Sequence, residues 1–173
     1  MNTGDVRIQD TLGLNTVPTV PWNTKAGSTA LNPGEVVKAD KSGNGAQYAV
    51  IVADGDGTTS QQILGVVKGG PSKSGGDSVT ATADGQVDVY LAVPGVVFAC
   101  KAKTSTNANT AAKILALLGK RVKFSVTSGA IGIDTAQADA TTNGVLIVGG
   151  DYTTSTIYFI IRSAVSVFGN PTT

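Results

Sequence analysis

The chain has 173 residues, room for one domain of ordinary size, and Lys plus Arg balance Asp plus Glu at 13 to 12, so net charge supplies no bulk attraction to nucleic acid or to an anionic membrane. Charged residues make up 14% and apolar ones 41%, too apolar for wholesale disorder, and the 22 glycines with plentiful Ser and Thr favour strands and turns. Histidine is absent, which removes the commonest general base, the commonest metal ligand and every His-containing triad.

Residues 1 to about 32 differ from the rest. The opening MNTGDVRIQD carries Asp5 and no apolar stretch of the kind a secretory signal needs, so synthesis in a cytoplasm without export is expected. In Val17-Pro18-Thr19-Val20-Pro21-Trp22 two prolines block both a regular helix and an interior strand. This predicts an extended N-terminal arm over 1–32, mobile in the free protein, followed by a β-rich globular domain over 33–173. Trp buries a large area and favours places where surfaces meet, so the arm either packs on its own domain or docks on a partner. Its candidate anchors are Val17, Pro18, Val20, Pro21 and Trp22.

From Pro33 onward the pattern is of short strands: Glu35 to Ala39, Tyr48 to Ala53, Ile63 to Lys68, Ser78 to Thr82, Gln86 to Leu91 and Val96 to Lys103. Gly-rich turns separate them, Lys41 to Gly45 and Asp54-Gly55-Asp56-Gly57 among them. A three-residue loop at Ala83 to Gly85 best registers one hairpin, pairing Ala81 with Val87 and Val79 with Val89. One short helix is predicted, capped by Asn109 or Thr110, with Ala111, Ile114, Leu115 and Leu118 as the stripe on the sheet and Gly119 as the stop. Strands at Arg121 to Thr127, Val145 to Val148 and Thr156 to Arg162 follow. The fold class is therefore mainly β, an antiparallel sandwich or barrel-like domain with one short helix and the extended arm. The run Ile157-Tyr158-Phe159-Ile160-Ile161 lacks polar alternation and wants cover on both faces. A second subunit supplies one cover if Ile157, Phe159 and Ile161 form an oligomer interface.

The motifs that carry chemistry fail at their working residues. Gly70 to Gly75 has the outer spacing of a phosphate-binding loop, but Gly76 stands where the lysine belongs. Asp40, Ser42, Asn44 and Gly45 imitate the start of a calcium loop whose twelfth position is Ile51. Asp54 and Asp56 read as solvated turn carboxylates, and replacing both by Asn is expected to leave folding intact. Cys100, the single cysteine, lies in an apolar run and reads as a buried thiol. No catalytic residue, metal or cofactor is assigned. The apolar stretches Val89 to Cys100, broken by Pro94 and Gly95, and Ile157 to Ile161 are far short of the roughly 20 residues of a membrane helix, so no membrane partner is expected. Between Asp88 and Asp134 there is no acid, while Lys101, Lys103, Lys113, Lys120, Arg121 and Lys123 fall there. They form either a basic contact face or a scatter of cations balanced by acids elsewhere. With only Phe98 and Phe124 as nearby aromatics the stacking platform for single strands is thin, and no nucleic-acid partner is expected.

One resemblance runs through residues 33 to 162. The lead-in Ile63-Leu64-Gly65-Val66-Val67, the stretch Leu91-Ala92-Val93-Pro94-Gly95-Val96-Val97-Phe98, the Ala-rich short helix, Gly119-Lys120, Gly132-Ile133-Asp134-Thr135 and Val145-Leu146-Ile147-Val148-Gly149 together resemble the decoration, or cement, proteins of tailed-bacteriophage heads. The chain departs from many of them in having Ala99, Cys100 and Lys101 where acidic or amide residues are common. The resemblance implies a structural virion protein without catalysis. Such a protein binds the outer surface of the capsid through the major capsid protein, commonly as a homotrimer, and stabilises the assembled head. A β-rich fibre or adhesive subunit of a phage tail or cell surface is the alternative, and the missing signal and paired cysteines speak against its secreted forms.

Overall fold

The structure, a computed structural model, describes residues 6–14, 16–24, 31–40, 48–58, 62–68 and 85–166. It is mainly β. In chain order the elements are β1 (Arg7–Asp10), β2 (Thr19–Thr24), β3 (Val36–Asp40), β4 (Tyr48–Ile51), β5 (Ile63–Val67), β6 (Gly85–Leu91), β7 (Val97–Lys101), α1 (Ala111–Leu117), β8 (Arg121–Val122), β9 (Phe124–Thr127), β10 (Ala130–Ile133), β11 (Val145–Asp151) and β12 (Thr156–Ile161). Strands β2-β4-β3-β5-β6 close into a barrel, β1-β7-β12-β11-β8 form a five-stranded sheet, and β9 and β10 form a hairpin. The proposed 78–82 strand, its hairpin register, the 70–76 loop and the 41–45 turn lie outside the described residues.

The barrel closes around Leu31, Val37, Ala49, Leu64, Val67, Val87 and Val89. Alternation in β6 sends Val87, Val89 and Leu91 inward and Gln86, Asp88 and Tyr90 outward. Gly65 is required where β5 passes β6: a Cβ there would fall on the carbonyl oxygen of Tyr90, inside any permitted contact. The adjoining β3–β5 ladder slips register between Val37 and Lys38.

The larger core joins barrel and sheet, since Val36, Val52, Ile63 and Val66 share a cluster with Phe98, Phe124, Ile147, Ile157 and Phe159. At its centre the rings of Phe98 and Phe124 each lie 5.9 Å from that of Phe159, the second pair edge-on at 76°, a geometry in which aromatic quadrupoles attract. β12 is the middle strand, paired with β7 through Phe159–Phe98 and with β11 through Ile160–Leu146. The predicted strand 121–127 breaks at Lys123 because β8 pairs with β11 while β9 turns to β10. Ser128 and Gly129 both have positive φ, 51° and 80°, the two-residue turn that suits a tight hairpin. The Ser-Gly pair was its local signal.

The helix starts as expected, with the Thr110 hydroxyl accepting from the Lys113 amide at 3.3 Å, and stops at Gly119, φ +78°. Its buried face differs from the expected stripe. Ile114 and Leu117 are buried, whereas Leu115 and Leu118 are 70% and 44% exposed. Seven residues make two turns, and the backbone at Leu118 is already extended (φ −57°, ψ 132°), so only one narrow i, i+3 edge reaches the sheet. That edge sits close because β11 offers Gly150, where a Cβ would come within 2.8 Å of Ile114 Cδ1.

Candidate contact surfaces

The N-terminal segment is the first candidate surface, and here the structure corrects the expectation that its prolines exclude a ladder. β2 pairs antiparallel with β6 from Thr19–Tyr90 to Thr24–Gly85. The Leu91 amide donates to the Pro18 carbonyl at 2.9 Å, and Val93 N donates to the Leu91 carbonyl that Pro18 cannot serve. Bonded pairs alternate along an antiparallel ladder, so Pro21 falls at a non-bonded position and its missing N–H costs nothing toward β6. On the other flank the ladder to β4 is the single parallel pair Asn23–Tyr48, beyond the proline. Val17 packs on the larger core and Trp22 on the barrel core. Of the five proposed anchors, Pro18, Val20 and Pro21 are therefore on the surface, together with Leu12 at 63% exposure. Trp22 is half-buried and structural.

Of the six basic residues, Lys101, Lys103, Lys113 and Arg121 are each held by partners of their own. Lys101 and Lys103 line a cleft of about 190 Å³ with Ser125, Thr127, Ala130 and Ile131. The Lys101 ammonium donates to the Thr154 carbonyl at 2.6 Å, and Lys103 lies 3.9 Å from the Asp134 carboxylate. Lys113 donates to the Thr106 carbonyl and the Asn109 side chain at 2.7 and 3.0 Å, closing its own loop. Arg121 is clamped on Asp139 by Nε at 2.8 Å and Nη2 at 2.5 Å, and its amide also donates to that carboxylate. These donors, the guanidinium foremost, hold the Asp139 carboxyl well below the usual carboxylate range.

The Asp54-Gly55-Asp56-Gly57 turn also departs from expectation. Asp56 is 4% exposed, and its carboxylate accepts from the Lys38 ammonium at 2.5 Å and the Ala53 amide at 2.6 Å. Asp54 accepts from the Val126 amide at 3.0 Å and the Ser125 hydroxyl at 2.9 Å, which lowers its pKa, the amide contributing most. Phe124 N donates to Asp56 O and Gly55 N to Phe124 O, so the turn is stitched along β9, with Asp56 buried and Asp54 exposed but hydrogen-bonded. Double replacement by Asn would therefore disturb the fold. Ser125 was missed because its role depends on a partner 71 positions away.

Ile157, Phe159 and Ile161 are 0%, 0% and 4% exposed, buried in the chain's own core, and so are not offered to a second subunit. Their neighbours Tyr158 and Ile160 take the opposite face and are half-buried. Cys100 is buried, as expected, with its thiol donating to the Ile131 carbonyl at 3.2 Å. Among the described residues no group of three or more His, Cys, Asp or Glu gathers where a metal would sit, and no helix is long and apolar enough to cross a membrane. Comparison of the chain with protein-family models, curated proteins and solved structures finds no match.

Proposed function

We propose that this protein is a structural component of a bacteriophage head, seated on the outer surface of the shell formed by the major capsid protein and stabilising it without catalysis. The observation that carries the reading is that the apolar residues Leu12, Pro18, Val20 and Pro21 are left exposed on and ahead of a strand of a closed barrel. A rigid barrel presents such groups without the ordering cost a loose arm pays on docking, and prolines further limit the entropy lost. Near-neutral charge lets many copies sit side by side. The resemblance described from the sequence supplies the partner class.

The test mixes the purified protein with heads assembled from the major capsid protein of the same genome and pellets them. Saturable binding at a fixed ratio to the shell protein, with a raised rupture temperature of the heads, is the expected result. Val20→Asp, at a residue 36% exposed, is expected to weaken retention about tenfold, as for one apolar contact of roughly 1.4 kcal/mol lost to a charge. Recovery only with tails or fibres favours the adhesive alternative, and no binding to either sinks the reading.

A further inference from the structure

Three of the six large apolar side chains left exposed among the described residues gather at one place, Leu115 at 70%, Leu118 at 44% and Val148 at 43% exposure. Two hydrogen bonds connect their positions. The Leu118 amide donates to the Leu115 carbonyl at 3.3 Å, and the next amide, Gly119, donates to the Ile147 carbonyl at 2.9 Å, beside Val148. Neither the helix nor the sheet accounts for apolar residues there. The buried edge of α1 is Ile114 and Leu117, and it reaches the core without them. Leucine at 115 suits a helix by propensity, but Leu118 has already left the helix on an extended backbone and gains nothing from it. Val148 is the extra residue where the β11–β12 register shifts between Ile147 and Gly149, and such a bulge re-aims a side chain out of the ladder.

The charge beside this patch has one sign. From 89 to 133 the chain carries no acid, and Lys120 follows Leu118 by two positions. Among the described residues Lys120 makes no ion pair. The carboxylates near it are engaged. Asp139, held below the usual carboxylate range by the Arg121 guanidinium first and by the Lys120 charge in smaller part, is taken up by Arg121. Asp151 accepts from the hydroxyls of Thr153 and Thr154 at 2.6 and 2.8 Å. Lys113 is turned back onto the Thr106 carbonyl and the Asn109 side chain, neutral acceptors that fill its donors and leave its charge uncompensated. We infer that Leu115, Leu118, Val148 and Lys120 seat an acidic, apolar segment of a partner protein, its aliphatic side chains on the patch and a carboxylate on Lys120. A second copy presenting its own α1 would bring Lys113 and Lys120 against the same cations, a like-charge contact that opposes association. A lipid surface calls for a large apolar face backed by many cations, and α1 has only seven residues.

The contact is separate from the one proposed for the shell, since α1 packs on β11 of the five-stranded sheet while Val20 and Pro21 lie on β2 of the barrel. Amide NMR of the protein tests it with two synthetic peptides, one carrying Leu and Glu at helical spacing and the other with every Glu replaced by Lys. The acidic peptide is expected to bind saturably with a dissociation constant below about 1 mM, moving the signals of Leu115, Leu118, Lys120 and Val148. The basic peptide is expected to bind about tenfold more weakly or worse. Leu118→Ser and, should that variant fold poorly, Leu115→Ser are each expected to weaken the acidic peptide about tenfold. Lys120→Glu is expected to reverse the preference between the peptides, a switch that a merely structural role does not produce. Val20→Asp is expected to leave peptide binding unchanged. No saturable binding, equal binding of the two peptides, or shifts confined to other residues overturns the inference. Self-association in sedimentation that Leu115→Ser abolishes also overturns it and gives the patch to a second copy. Flotation with phosphatidylglycerol vesicles that Leu115→Ser abolishes overturns it in favour of lipid. Peptide binding by a protein that binds no head leaves this contact standing and sinks the head reading, and head binding without peptide binding does the reverse.

Discussion

Lys38→Met is expected to destabilise the protein by about 3 kcal/mol, toward the lower end of the cost of stranding one member of a buried ion pair. The Asp56 side chain is only 6% exposed, against 24% for Lys38, so removing the ammonium leaves a carboxylate that water reaches poorly. The Ala53 amide, donating at 2.6 Å, stays and keeps the loss from being larger; a charged hydrogen bond of that kind is worth roughly 1.5–3 kcal/mol. The reverse change, Asp56→Asn, strands an ammonium that is a quarter exposed and can turn to water, so about 1–2 kcal/mol is expected. Joining the two changes removes both charges and should cost little more than Asp56→Asn alone, a coupling of roughly 2 kcal/mol between the sites. Urea denaturation of the four proteins measures these differences directly. In thermal melts about 3 kcal/mol corresponds to a drop of roughly 6–12 °C for a chain of this size. A Lys38→Met variant within about 1 kcal/mol of wild type, or a double variant whose loss is the sum of the singles, would refute the pairing as a determinant of stability.

Two further outcomes follow from the same contacts. Trp22→Ala is expected to cost about 2 kcal/mol of stability, less than the 3–5 typical of a fully buried aromatic because the ring is half-buried on the barrel core; an unchanged urea midpoint would return Trp22 to the role of a free anchor. Stability should also fall in acid. The carboxyls of Asp54, Asp139 and Asp151 are held below their ordinary values by the Val126 amide, the Arg121 guanidinium and the Thr153 hydroxyl respectively, so in acid the unfolded chain binds more protons than the folded one. Their contribution is complete above the unfolded carboxylate pKa, about 3.9, and is lost as pH drops through each lowered value. Urea midpoints measured from pH 6 to pH 2 should decline below about pH 4, and Asp139→Asn should flatten that decline; a slope unchanged by Asp139→Asn shows that its pairing with Arg121 does not contribute.

Local pattern alone located most strands. Ile63–Val67 was legible as a short apolar run between turns, Gln86–Leu91 as alternation, to which the structure adds Gly85, and the stop at Gly119 as a residue free to take positive φ. Each signal lies within a few residues of the structure it dictates. Three decisions lay elsewhere, because each needed a partner distant in the chain. Pro21 reads as a ladder breaker until β6 supplies a register that places it at a non-bonded position. Asp56 reads as solvated until β3 brings Lys38 from 18 positions away. The run 157–161 is apolar at every position but Tyr158, so hydrophobicity leaves its orientation open by one residue. Tertiary packing decided it by turning Ile157, Phe159 and Ile161 onto Phe98 and Phe124, leaving Tyr158 and Ile160 on the opposite side. In a strand a shift of one position exchanges every inward side chain for an outward one, and only the strands beside β12 determine which set the core receives.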